Sequence, residues 1–304
     1  MFLRLFSVVL TLTLFFISPL SGYEIALTAI FRDEARFLKE WIEYHRLIGV
    51  EHFYLTNHKS VDHFQEVLDP YIQMGLVELR HETKDTASGS SNKTRIAARR
   101  ITKDWNNIQI TAYQWALEKA KQETKWLVAI DTDEFLVPKN GETLKGILKD
   151  FQNEAAVAIN WQMFGTSHVE RIPDEKLLIE TLLLRAPRNI IENTIFKPIV
   201  QPKMVAQFFN PHQCVFSGLY RTVDMAGHPV KVGENVTNKV EVDRIQLNHY
   251  WSRDLEFYHT VKLGRAPKMG QIHKDLQKKL DLFNTEPDDS IIPFIPELKE
   301  VMGN

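Results

Sequence analysis

The sequence predicts an α/β fold of one domain, a Rossmann-like, mostly parallel sheet flanked by helices, on two observations. Short all-apolar runs alternate with amphipathic helical patterns as far as Trp161, the rhythm of strands joined by helical crossovers. One apolar run also stops abruptly at Asp131-Thr132-Asp133-Glu134, as a buried strand does where it meets solvent or a ligand.

The elements follow in order. Residues 25–31 are apolar and short enough for a buried strand. After Arg32-Asp33-Glu34, Phe37, Leu38, Trp41, Ile42, His45 and Ile48 recur at three- and four-residue spacings, a helix that Gly49 stops. Residues 52–56 form the next strand, ending in Asn57-His58-Lys59-Ser60, with a helix over 62–72 and a strand over 76–79 behind it. Residues 82–107 break the rhythm with small polar residues and then Lys93, Arg95, Arg99, Arg100 and Lys103. Such a segment is a solvated loop with one basic helix, or a lid bringing cations to a diphosphate or an acidic acceptor. Tyr113, Ala116, Leu117 and Ala120 restore helical spacing, residues 126–130 are a buried strand, and 155–161 are another. Residues 177–242 read as strands and loops that complete the sheet and cover the site. The tail from Leu255 is helical and then broken by prolines.

Composition narrows the class. The 304 residues are 44% hydrophobic and 25% charged, with a formal net charge of -2, so no global charge draws the chain to nucleic acid. Cys214 is the one cysteine, which excludes an intrachain disulfide and reads as a small buried hydrophobe. Arg4 precedes an apolar run over residues 5–17, short for a membrane span and right for the core of a signal peptide. Residues 1–22 are therefore a cleaved signal peptide, or an uncleaved anchor that meets the membrane through residues 4–20. Both place residues 23–304, the folded domain, in a secretory pathway or a bacterial envelope.

Asp131 and Asp133, two positions apart at a strand end, project to one side. Two carboxylates held together repel unless a cation lies between them, and hard oxygen ligands suit Mg2+ or Mn2+. Such an ion bridges a diphosphate and neutralises it as it leaves. An Asp-x-Asp tripeptide arises by chance roughly once in a chain of this length, so context carries the weight. Here the apolar run leads straight into it and Phe135-Leu136-Val137 follow it, and acids are seldom buried there without partners.

Residues 126–138, centred on Asp131-Thr132-Asp133-Glu134, resemble the central motif of glycosyltransferase family 92. The resemblance extends to residues 30–34 with 39–45, to Gln109 with Ala112-Tyr113, to Asn160-Trp161 with residues 164–167, and to residues 197–200, His212, 248–253, Lys262 and Gly264-Arg265. It implies a GT-A fold and an inverting, metal-dependent transfer, usually with Mn2+, from a UDP-sugar, often UDP-galactose, to a glycan acceptor. Asp131 and Asp133 match the metal-binding pair, and His249 matches the C-terminal histidine that completes the ligand set; read alone, His249 is a hydrogen-bonded core histidine. Arg32 and Glu34 match positions facing the nucleotide, with Asn57 and Asp62 further candidates, although residues 56–60 lack the aspartate usual in that loop. Lys197, Lys262 and Arg265 are candidates to hold the diphosphate. An inverting transfer needs a carboxylate base, for which Glu170, Glu180, Glu192 and Asp224 are weak candidates, each also readable as a surface or structural acid.

Two other readings share the paired acids. A metal-dependent phosphodiesterase or pyrophosphatase would need more metal-binding side chains than can be placed near Asp131. A non-catalytic nucleotide-sugar-binding homologue would keep the fold without turnover.

Overall fold

The computed structural model describes residues 22–82, 95–263 and 270–303, with side chains described over 22–82, 106–263 and 275–303. β1 (Tyr23–Phe31), α1 (Ala35–Leu47), β2 (His52–Asn57), α2 (Phe64–Gln73) and β3 (Val77–His81) follow the expected alternation. Then come α3 (Arg95–Glu123), β4 (Thr124–Ala129), β5 (Glu134–Pro138), α4 (Leu144–Lys149) and β6 (Ala156–Met163). α5 (Leu178–Thr181), β7 (Leu184–Arg185), β8 (Phe196–Val200), β9 (Val205–Asn210), β10 (Gln213–Phe216), β11 (Thr222–Val223) and β12 (Ile245–His249) lead to the tail. The tail comprises α6 (Leu255–Phe257), a π turn over Tyr258–Lys262, α7 (Gly270–Leu282), β13 (Glu286–Pro287) and α8 (Ile295–Met302).

The main sheet runs β3-β2-β1-β4-β8-β6-β12-β5, with β11 beside β6. Strands β3, β2, β1 and β4 are mutually parallel, as are β11, β6 and β12, while β8 and β5 are antiparallel to their neighbours. Alternation along β1 divides the core in two. Ile25, Leu27, Ala29 and Phe31 face the layer containing α1 and α2, whereas Ala26 packs with Tyr113, Ala116 and Leu117 of α3 on the opposite face. Only residues 130–133 separate β4 from β5, yet three strands lie between them. A flat sheet would put them about 19 Å apart. The sheet therefore curls: the first half of β6 pairs with β8 and its last residues with β12.

β5 ends the sheet, so one side of its backbone has no strand to pair with, and α1 supplies the missing partners. Trp41 Nε1 donates to Glu134 O at 2.9 Å and Tyr44 Oη to Leu136 O at 2.7 Å. His45 Nδ1 lies 2.8 Å from Trp41 O, which fixes its proton there and leaves Nε2 to accept from Leu136 N at 3.4 Å.

Several expectations change. The helix read from Tyr113 onward and the basic stretch before it are one helix, α3, from Arg95; residues 83–94 of the suggested lid lie outside the described residues. Residues 177–242 contribute only β8 and β11 to the main sheet, because β9 and β10 form a separate hairpin and β7 pairs with β13. The strands β5, β8 and β12 carry no clear sequence signal. Among the described residues no helix is long and apolar enough to cross a membrane; the apolar run over 5–17, with the signal or anchor reading of residues 1–22, lies outside them but for Gly22.

Burial pushes His45 down to about 3 against the hydrogen bond to Trp41 that favours its charge. The folded protein thus resists a proton that the unfolded chain accepts near 6.5, so the His45 contribution is full above that pH and is lost as pH falls towards 3. His45→Gln is expected to cost about 1–2 kcal/mol at pH 7 and to flatten the acid limb between pH 6 and 4 by up to about 1.4 kcal/mol per pH unit. Denaturant titrations across that range check this; parallel wild-type and variant curves would contradict it.

Candidate active site

The parallel strands point their carboxyl ends to one edge, where the turn after β4 carries Asp131, Thr132 and Asp133. Glu134 N donates to Asp131 O at 3.1 Å, closing the turn, and the chain reverses into β5. β12 then pairs His249 with Glu134, and Tyr250 N donates to Asp133 O at 2.8 Å. The acidic turn and the histidine are therefore joined by backbone, not by side chains alone.

Glu134 is the centre of the cluster and has no exposed surface. Its Oε2 accepts from Asp131 N at 2.7 Å and its Oε1 from Trp161 Nε1 at 2.7 Å. Burial pushes its carboxyl up to about 7, opposed chiefly by Lys197. Lys197, on β8 and itself buried, donates to Asp131 Oδ2 at 2.9 Å and lies 3.8 Å from Glu134 Oε2. Its burial disfavours the charge, but Asp131 and Glu134 together hold its ammonium above the usual lysine range. Gln109 and Tyr113 of α3 take Asp131 Oδ1, so both oxygens of that carboxylate are engaged.

Asp133 has other partners. Lys262 Nζ donates to its Oδ2 at 3.1 Å, and His249 Nε2 stands 3.5 Å from its Oδ1. Burial would raise its pKa, yet Lys262 and then His249 outweigh burial and hold the carboxyl well below the usual range. No three His, Cys, Asp or Glu side chains converge as a metal cradle among the described residues. Asp133 Oδ1 and His249 Nε2 do face each other at a separation close to that of two adjacent ligands on one ion, roughly 3 Å.

Glu34, at the end of β1, pairs with Arg253, a buried residue in the left-handed region at φ 52° whose guanidinium lies 4.1 Å from the Phe37 ring centre and 4.6 Å from that of Phe257. Burial raises the Glu34 pKa against that pairing. Arg32 is exposed and, among the described residues, pairs with its neighbour Asp33, at 3.5 Å. Asn57 is buried at the end of β2, where it meets His81 and accepts from Ser60 N; Asp62 accepts from Ala35 N at 2.7 Å and so caps α1.

The suggested bases mostly have structural work. Glu180 accepts from Leu177 N and pairs with Lys299, Glu192 pairs with Lys279, and Asp224 accepts from the backbone of Ala226 and His228. Glu170 is exposed on the loop that leaves the carboxyl end of β6, and among the described residues its side chain makes no hydrogen bond or ion pair. Arg265 lies outside the described residues. Sequence reasoning gave no role to Glu134, Trp161 or Arg253. Their signals were slight: an acid directly behind the pair, and single residues inside the matched blocks.

A curled α/β sheet with a cation-balanced acid cluster at its carboxyl edge defines an α/β protein whose charged groups gather where such folds bind ligands. The chain belongs to glycosyltransferase family 92, whose model matches residues 23–291. It is 25% identical over 185 residues to a glycosyltransferase family 92 protein of Oryza sativa subsp. japonica, covering 60% of this chain and 27% of that protein. It is 24% identical over 161 residues to a family 92 protein of Ricinus communis, covering 52% and 26%. The chain thus spans about a quarter of the length of these curated relatives. Among solved structures, S. aureus TarS 1-349 in complex with UDP-GlcNAc overlaps with a TM-score of 0.35 at 12% identity, over 70% of this chain and 60% of that one. Core-mannan synthase A from Aspergillus fumigatus, in its Mn/GDP form, overlaps at 0.30 and 10%, over 48% and 44%.

Lys197→Met leaves Asp131 and Glu134 without their buried cation and is expected to destabilise the fold by on the order of 3 kcal/mol at pH 8. Glu134, with its pKa already raised to about 7, takes up a proton as pH falls and relieves the loss. The deficit measured by denaturant titration shrinks at pH 5; an equal deficit at both pH values would show that charge is not the cause.

Proposed function

We propose that the chain is a metal-dependent glycosyltransferase that moves a hexose, galactose first among the candidates, from a UDP-sugar to an acceptor glycan with inversion. The observation that carries this reading is Asp133, at the carboxyl edge of the sheet with Lys262 on one carboxylate oxygen and His249 facing the other.

Mg2+ and Mn2+ are usually held by one or two protein ligands together with substrate phosphates, and Asp133 with His249 offers a pair of that kind. The bound ion would act as a Lewis acid on the departing diphosphate. Lys262 moves between two tasks, balancing Asp133 without ligand and pairing with the diphosphate when the donor binds. Asp131, charge-balanced by Lys197 and about a third exposed, presents a fixed acceptor for a nucleotide hydroxyl. Glu34, held by Arg253, lines the same edge from β1. Glu170, an exposed acid on the loop beyond β6 whose side chain makes no hydrogen bond or ion pair among the described residues, is assigned the proton of the acceptor hydroxyl.

The phosphodiesterase and pyrophosphatase reading finds no support in the geometry, since the described residues hold no two-metal set of acids and histidines. The non-catalytic reading differs only in turnover.

Calorimetry of UDP with and without Mn2+ tests the donor site. Wild type is expected to bind UDP more tightly with the metal, and Asp133→Asn and His249→Ala are each expected to lose that metal-dependent gain, while Glu170→Gln keeps UDP binding and loses transfer. Metal-independent binding that survives Asp133→Asn would overturn the proposal.

A further inference from the structure

Two tryptophans lie against the partners of Asp133. Trp161, on β6, has its ring centre 4.5 Å from that of His249 and its Nε1 fixed on Glu134. Trp251, two residues beyond His249, has Lys262 Nζ 5.5 Å from its ring centre, and Lys262 in turn holds Asp133. Each indole thus touches one of the two side chains that meet the Asp133 carboxylate. Both pack on one apolar base of Met163, Ala186 and Phe283, which are themselves buried.

These indoles differ from the core tryptophans. Trp41 and Trp126 are 0% and 1% exposed, whereas Trp161 and Trp251 remain partly exposed. A large apolar ring left partly in water forgoes stabilisation that full burial would give. Trp161 is also held by its hydrogen bond and both rings by the apolar base, so a ligand that covers them loses little in ordering them.

A pyranose ring suits such walls: it offers a face of C–H groups to an aromatic surface and keeps its hydroxyls at the rim for charged or polar partners. We propose that Trp161 and Trp251 form the walls of a subsite for the hexose of the nucleotide-sugar donor. This rests on the donor reading above. The sugar is joined directly to the diphosphate, and the groups assigned to that diphosphate and its metal, Lys262 and His249, are the ones the indoles touch. A remote sugar of the acceptor would have no such connection. Trp161 carries a second consequence, because its Nε1 bond to Glu134 ties the sugar wall to the turn bearing Asp131 and Asp133.

The test compares UDP with UDP-galactose, UDP-glucose and UDP-N-acetylglucosamine by calorimetry in Mn2+, using the full chain as wild type, Trp251→Ala and Trp251→Phe. UDP binds wild type and both Trp251 variants alike to within about twofold, which also shows that the variants are folded. At least one UDP-sugar binds wild type more tightly than UDP does. Trp251→Ala lowers its affinity roughly five- to tenfold, the size of an aromatic contact, and Trp251→Phe restores most of it. Loss of UDP and UDP-sugar binding by equal factors would overturn the subsite, as would UDP-sugars that bind wild type no better than UDP. Failure of wild type to bind UDP at all would instead sink the donor reading itself.

Discussion

A carboxylate that water cannot reach has to be neutralised or satisfied from within, and Glu134 imposes that demand on the whole carboxyl edge. Its two oxygens are taken by Asp131 N and Trp161 Nε1, and the nearby cation comes from Lys197, itself buried. Lys197 can stand there only because β8 runs antiparallel between β4 and β6. The antiparallel strand inserted between two parallel groups of strands therefore delivers the counter-charge. The same lysine engages Asp131, which leaves Asp133 as the acid whose partners, Lys262 and His249, come from the last quarter of the sequence.

The other constraint is geometrical. A four-residue turn between strands far apart in the sheet order forces the sheet to curl, and the curl leaves β5 as a terminal strand. Side chains of α1 then take over backbone hydrogen bonding, through Trp41, Tyr44 and His45. Trp41 and His45, which read in the sequence as part of the apolar stripe of an amphipathic helix, thus join Tyr44 in a polar strip that binds the strand following the acidic turn.

Much of this was legible in advance. The alternation from β1 to β3 and the strand that ends at the acidic turn follow from apolar runs and helical spacing, because parallel strands buried on both faces carry the strongest local pattern. Asp131 and Asp133 were visible for the same reason, as charges at the end of such a run. The strands β5, β8 and β12 were not, since such five-residue strands depend on partners distant in the chain. The partners of the acids were legible only as isolated cations. Lys197 and Lys262 could be named as candidates, but neither spacing nor composition tells a surface lysine from one whose ammonium is held between buried carboxylates. Glu180, Glu192 and Asp224 show the converse: acids in plausible positions whose work is to tie helices and turns.

The charge balance at the edge also sets an order of assembly. The acids arrive with residues 131–134, but Lys197 follows more than sixty residues later, and His249 and Lys262 later still. A chain growing from its amino end would hold β1 to β4 before any of these cations exists, with Asp131 and Glu134 kept in water or protonated until β8 arrives. The ion pairs that complete the acid cluster are thereby among its longest-range contacts, and a chain broken off before Lys262 would carry the acidic turn with an unfinished charge balance.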